Sequence, residues 1–216
     1  MSANPPSPPP RRGYGGRTAE ALAAERRQRL LETALELFGT QGYAATSTEK
    51  LCAAARVTTR HFYEQFRDRE ALLLEVFRHV MQDTRGRVTE ALLVASGPPQ
   101  DRLLAALEAF LDAQLDDPRR ARLTTTEVLG VSPLVEARRN EVINDFARLI
   151  ETYADLLAQM GLLPRRNFRV LAFCIVGAMH ELQIAWLNPA NDLTREAVKG
   201  EMRFLVQAFL AGATVA

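Results

Sequence analysis

The sequence predicts an all-α fold: an N-terminal three-helix domain carrying a helix-turn-helix, followed by a larger helical domain. Three observations predict it. Apolar residues recur at i, i+3 and i+4 along most of the chain, as in Leu30, Leu31, Ala34, Leu35 and Phe38. Helix-start signals punctuate that pattern at Thr18, Ser47, Thr58, Asp68, Asp117-Pro118, Ser132-Pro133 and Thr194. No convincing strand and no internal repeat interrupts it.

The first 17 residues are rich in Pro, Ser and Gly, with Pro5, Pro6, Pro8, Pro9 and Pro10 in one cluster. Such a composition cannot build a core, and residues 1–17 read as a disordered arm. Arg11, Arg12 and Arg17 belong to a solvated tail or trail along phosphates. Thr18 caps a helix to about Thr40, which Gly42 closes; Tyr43 then packs or reaches a phosphate. Ser47 caps a short helix with Leu51, Ala54 and Ala55 on one buried face. Val57 plugs the turn that follows. Thr58 caps a helix from Thr59 to about Gln65, where Phe62 and Phe66 lie one turn apart and face inward. Asp68 starts a long helix to about Ala95 with Leu72, Leu73, Val76, Phe77, Val80 and Met81 apolar.

Beyond the Ser96-Gly97-Pro98-Pro99 loop, Leu103, Leu104, Leu107, Phe110, Leu111 and Leu115 mark another helix. Asp117-Pro118 opens a short helix to about Leu129, closed by Gly130. Ser132-Pro133 opens one that Gly161 stops. Pro164 leads into a helix to about Leu187, apolar nearly all round and so covered on most sides. Thr194 caps the last helix, with Val198, Met202, Leu205, Val206 and Phe209 inward.

Composition narrows the function classes. The 216 residues suffice for one large helical domain and a small one. The net charge of +1 hides an asymmetry: residues 1–70 carry 11 basic and 8 acidic side chains, the remainder 16 and 18. A basic end and a mildly acidic remainder fit DNA at one end and another task at the other. Cys52 and Cys174 lie far apart in helical contexts, which suits a reducing cytosol without disulfides. No apolar run reaches membrane-spanning length, and the N-terminus lacks the apolar core of a secretion signal.

None of His61, His79 and His180 stands at ligand spacing with another His or Cys, so no metal site is expected. No phosphate loop or nucleophile elbow appears. Cys174 and His180 are six residues apart, about 600° around a helix, and face different ways. An enzyme and a cofactor are therefore not expected.

The stretch from Thr46 to Leu72 carries the function. On the Thr59–Gln65 helix the apolar spine turns Thr59, Arg60, His61, Tyr63 and Glu64 outward. Arg forks onto guanine, Thr meets a thymine methyl and Tyr reaches a phosphate. A helix-turn-helix docks such a second helix in the major groove while the first crosses the backbone.

Gly42-Tyr43, Ala45-Thr46-Ser47, Leu51, Ala55, Val57-Thr58, Phe62-Tyr63, Phe66, Glu70 and Leu72 stand in the order and spacing of the TetR/AcrR family of bacterial regulators, as do Leu30-Leu31, Ala34, Leu37 and Phe38. The sequence resembles that family specifically over about Arg27 to Leu74. Arg56 stands where the family usually has a turn glycine, which implies a strained positive φ. Arg60-His61 stands where many members carry Gly-Thr.

The resemblance implies a domain at 18–68 that binds double-stranded operator DNA. It also implies a domain at 69–216 that binds a small effector between helices and forms a homodimer through its last two long helices. Thr46, Ser47, Tyr63 and Arg67 would bind phosphates, and Thr59, Arg60, His61 and Glu64 would face base edges. Polar or aromatic residues within apolar helices are the effector candidates: Phe77, Met81, Phe110, Gln114, Thr125, Glu127, Phe146, Tyr153, Cys174, His180, Gln183 and Trp186. Glu127 meets a cationic effector or pairs with an arginine; His180 is an interior histidine or an effector ligand. The apolar surplus of the last two helices suits a two-fold interface through Phe173, Val176, Met179, Met202, Val206 and Phe209.

The expected protein is a cytoplasmic, dimeric repressor that a small, largely apolar molecule releases from a palindromic operator, with no membrane partner. The alternatives are a DNA-binding architectural or cell-division factor without an effector, and a small-molecule binding protein or enzyme with a vestigial motif.

Overall fold

The computed structural model describes residues 18–213, so the expectations for residues 1–17, including Arg11, Arg12 and Arg17, lie outside the described residues. The order is α1 (Ala19–Gln41), α2 (Thr48–Ala55), α3 (Thr59–Gln65), α4 (Arg69–Val94), α5 (Pro99–Leu115), α6 (Pro118–Arg122), α7 (Pro133–Gln159), α8 (Arg169–Leu187) and α9 (Arg195–Ala213). Among the described residues there is no strand.

All seven expected caps form. Thr18, Ser47, Thr58, Asp68, Asp117, Ser132 and Thr194 each accept from a first-turn backbone N–H at 2.7 to 3.2 Å. This is short-range chemistry, which satisfies orphan donors wherever the chain leaves a turn.

Two stretches depart from expectation. The segment after α6 is not one α-helix: Leu123–Glu127 winds as a π-helix. Leu123 and Val128, five residues apart, are both fully buried in the core beside α1 and α4. A π turn, bonded i to i+5, places them on one side. The helix expected from Pro164 begins instead at Arg169. Leu163 and Phe168 both anchor in the cluster around Leu157. Five helical residues would set them about 140° apart, so the chain between them is not helical. Within the short second helix, Ala54 is exposed and Cys52 takes its place on the buried face with Leu51 and Ala55.

A continuous core runs from Leu30 and Phe38 of α1 through Leu51, Val57 and Phe62 to Leu72, Val76, Phe77 and Val80 of α4. It continues to Leu123, Val128 and Val135, so α4 and the π turn fasten the first three helices to the rest. Arg27 of α1 pairs with Glu75 and lies 4.8 Å over the Phe66 ring. Gly39 lets α1 and α6 cross closely: a Cβ there would sit 2.4 Å from Arg119 Cβ.

Lys199 bonds Glu108 and Asp112 at 2.9 and 2.7 Å and pins α9 along α5. Val198, Met202 and Val206 therefore face Leu107, Leu111 and Leu115 within the chain. Helix α8 has a mean hydropathy of 1.7 and is long and apolar enough to cross a membrane by length and composition, contrary to the expectation that no such run exists. Its polar positions, Arg169, His180, Glu181 and Gln183, break the apolar run, but the other residues are apolar enough to keep the average high. Only 17% of that stretch is buried in the single chain.

Arg56 closes α2 at φ 53° and ψ 47°, in the left-handed region. Its N–H donates to Ala53 O and the Val57 N–H to Cys52 O, the paired bonds of a Schellman ending normally built on glycine. Arg56→Gly should raise stability by about 0.5–1 kcal/mol, the relieved strain exceeding the added unfolded-state entropy. Thermal melts beside Arg56→Ala, which keeps the strain, check this; a lower melting point for the glycine variant would contradict it.

Candidate functional site

The reading head has an apolar underside and a polar outer face. Phe62 and Phe66 are buried, with ring centroids 5.8 Å apart. Thr59, Arg60, Tyr63 and Glu64 are exposed on the opposite side of α3, with Ser47 and Arg67 exposed at its flanks. Tyr63 is 57% exposed, and its ring leans edge-on against Phe62 at 5.3 Å, so its hydroxyl is held outward. His61 is half-buried because its Nδ1 lies 2.9 Å from the Thr58 cap hydroxyl, which fixes the ring at the start of the helix. Arg60 Nε donates to Glu64 at 3.2 Å, one turn away on the same face. An exposed pair of this kind contributes little to stability and separates readily.

Thr46 does not belong with the phosphate contacts. Its side chain is fully buried and its hydroxyl donates to Gly42 O at 2.8 Å. It closes the loop between α1 and α2 instead. Tyr43 packs against Phe38 at 5.3 Å and lies 4.2 Å under the Arg69 guanidinium, which also donates to the carbonyls of Tyr43 and Thr46.

That loop is also held from below. Glu127, at the end of the π turn, accepts the Tyr43 N–H at 2.7 Å and the Arg122 Nε at 2.9 Å. Arg122 in turn donates to Thr40 O at 3.1 Å. Gly42 has φ 93°, and a Cβ on it would meet the Glu127 carboxylate at 3.2 Å. Glu127 is therefore a junction residue rather than a cavity wall, and of its two readings the arginine partner is the one formed.

Two of the cavities among the described residues hold most of the expected effector residues. One, of about 260 Å³, is lined by Phe77, Met81, Phe110, Gln114, Thr125, Phe146, His180 and Gln183 of the expected set. Thr124, Arg139, Val142, Ile143, Phe173, Val176, Gly177 and Met179 complete it. The other, of about 80 Å³, is walled by apolar side chains and Tyr153, whose hydroxyl donates to Pro99 O at 2.8 Å. Trp186 lines neither; it packs against the cluster of α5, α8 and α9. Cys174 is exposed on α8.

The first cavity has a polar end. Gln114 donates to Thr84 at 2.8 Å and accepts from Thr124 at 3.0 Å. Arg139 lies 3.2 Å from His180 Nε2. Arginine only donates, so this imidazole nitrogen accepts and the ring proton sits on Nδ1. Burial first, and the Arg139 charge second, hold the His180 pKa below the ordinary histidine range, which keeps the ring neutral. Sequence reasoning missed Arg139 and Thr124, which stand among other exposed and capping polar residues in the sequence and carry no local signal.

Residues 30–76 match the family model described as bacterial regulatory proteins, tetR family. Those residues carry the DNA-binding domain of the TetR/AcrR family. It is 27% identical over 181 residues to the HTH-type transcriptional activator FasR of Mycolicibacterium smegmatis, spanning 83% of this chain and 81% of that protein. A putative TetR-family regulator from Syntrophomonas wolfei superposes with a TM-score of 0.77 at 18% identity, over 88% of this chain and 96% of that one. FadR from Bacillus subtilis, solved with stearoyl-CoA, superposes with a TM-score of 0.75 at 17% identity, over 83% and 96%. This TetR-family chain is thus a DNA-binding transcriptional regulator with a helix-turn-helix.

The interface expected of a TetR-family dimer needs correction at three positions. Met179, Met202 and Val206 are buried in the chain's own core. Phe209 packs on the Leu157 cluster and Val176 on the cavity side. Of the expected set only Phe173 is exposed. The outer faces carry other apolar residues: Val170 and Cys174 on α8, and Phe204, Leu205 and Ala208 on α9. An all-round apolar helix gives no clue in sequence to which face its own chain uses.

Proposed function

We propose that this regulator is a cytosolic, dimeric repressor that reads a palindromic operator and leaves it when a small, largely apolar molecule occupies the cavity between α4, α5, α7 and α8. The observation that carries this reading is the π turn. Thr124 and Thr125 stand in the cavity wall. Two residues on, Glu127 holds the Tyr43 N–H at the base of the reading head. A ligand that binds one arrangement of this turn better than another shifts the placement of the head by its differential affinity. Fatty acyl thioesters are a candidate class, since the cavity joins an apolar body to a polar end.

We propose that the division at 68/69, marked by the Asp68 cap, separates reading from sensing. Ser47, Tyr63 and Arg67 meet phosphates; Thr59, Arg60, His61 and Glu64 face base edges. Two copies pair through the outer faces of α8 and α9, where the uncovered apolar surface lies.

Operator selection from random DNA tests the reading: a palindrome with half-sites about one helical turn apart, or a multiple of it, is expected. Selection of many unrelated, non-palindromic sites would support the architectural alternative. On the selected site Arg60→Ala should cost about 1–3 kcal/mol and relax preference at one base per half-site. Unchanged affinity and preference would remove Arg60 from the groove.

A further inference from the structure

The two cavities meet at a pair of aromatic rings. Phe110 and Phe146 belong to the walls of both. Their centroids are 5.5 Å apart at an interplanar angle of 77°, an edge-to-face contact in the wall that the two chambers share, to which Met179 also belongs. On one side is the larger chamber with its polar end, termed the outer chamber; on the other is the smaller, apolar chamber reaching Leu163, Leu171 and Phe209, termed the inner chamber.

The polar end is incompletely satisfied. Gln183 is only 3% exposed, its amide N–H donates to Met179 O at 2.9 Å, and its Oε1 has no partner. Arg139 Nε is likewise buried without a partner, and among the described residues no carboxylate pairs with this guanidinium. Buried polar atoms are normally bonded, and orphans lining a cavity mark where a ligand's polar atoms belong. The guanidinium asks for an acceptor and the glutamine oxygen for a donor.

We propose that the effector is a linear fatty acyl molecule whose polar head sits at Arg139 and Gln183, and that the Phe110–Phe146 pair is a gate that sorts chains by length. Short chains fill only the outer chamber. Longer ones turn the rings aside and enter the inner chamber. This rests on reading the outer cavity as the effector site. A free carboxylic acid and an acyl thioester present the same chain with different heads. The thioester's pantetheine amide supplies the donor that Gln183 lacks; an ionised carboxylate supplies only the acceptor.

The test is calorimetric titration of the full chain with saturated fatty acids and with acyl-CoA thioesters of increasing length. Each buried methylene should tighten binding about fourfold until the chambers are full. Phe110→Trp narrows the gate and should weaken long chains at least tenfold more than short ones, which meet the same ring only as a wall of the larger chamber. Leu171→Trp, which fills the inner chamber without touching the gate, should give the same selective loss. Arg139→Gln should weaken all lengths in parallel. Circular dichroism confirms that each variant folds. The head group giving tighter binding identifies the acid or the thioester as the source.

If both tryptophan variants weaken every length alike, or none, the gate is wrong while the effector site stands. Binding without length dependence has the same consequence. If neither series binds, the acyl proposal falls; release of the selected operator by a non-acyl compound would then leave the proposed repressor intact.

Discussion

Phe204→Glu should turn the operator-bound dimer into a folded monomer. Phe204 is 62% exposed in the single chain and lies on the outer face of α9, clear of the Val198, Met202 and Val206 side that packs on α5. A carboxylate there leaves the chain's own core intact and places a charge in the proposed interface. Half-sites no longer held together lose the gain of linked binding, and operator affinity should fall at least hundredfold, about 2.7 kcal/mol. Sedimentation and operator titration on the same sample check this. Val206→Glu is the contrast: Val206 is buried, so that change should unfold the chain rather than separate it. A Phe204→Glu protein that stays dimeric, or binds a full palindrome normally as a monomer, would move the interface elsewhere.

Glu127→Ala should weaken communication more than DNA binding. The carboxylate joins the Tyr43 N–H to Arg122, and its removal strands both donors. The stability cost should be about 1–2 kcal/mol, at the low end because Arg122 can turn to water. If a saturating effector weakens the native operator complex about hundredfold, the variant's response should drop to about tenfold or less, a loss of about 1.4 kcal/mol of coupling. Effector affinity without DNA should scarcely change, because Glu127 lies outside the cavity wall. Full responsiveness in Glu127→Ala would show that the signal runs through α4 alone.

The reading head was legible because its signals are local. Ser47, Thr58 and Asp68 announce helix starts within three residues, and Phe62 and Phe66 set which side of α3 faces out. Thr46 was not legible: a threonine beside an N-cap looks the same whether its hydroxyl faces phosphate or a carbonyl four residues back. The junction was half legible. Glu127 stood out as a carboxylate in an uncharged run, but its partner Arg122 comes within reach only because Leu123–Glu127 winds as a π turn, which the burial of Leu123 and Val128 explains only after folding. Most of the aromatic and polar cavity wall could be drawn up from the rule that polar residues in apolar helices need a reason. Arg139 could not, because it stands among the exposed charges of α7. On α8 and α9 the composition reveals surplus apolar surface but not its direction, which is why Met179, Met202 and Val206, expected at the interface, are core.

In the proposed repressor the cavity and the operator are coupled through one segment of chain. The most direct test of that coupling is the affinity of an effector measured by calorimetry twice, on the free protein and on the protein saturated with selected operator DNA. Coupling is reciprocal, so the ratio of the two constants must equal the factor by which that effector weakens operator binding. Equal ratios are expected, on the order of a hundredfold for a full inducer and much smaller in Glu127→Ala. A ligand that fills the cavity tightly, with an affinity indifferent to operator DNA, would contradict it.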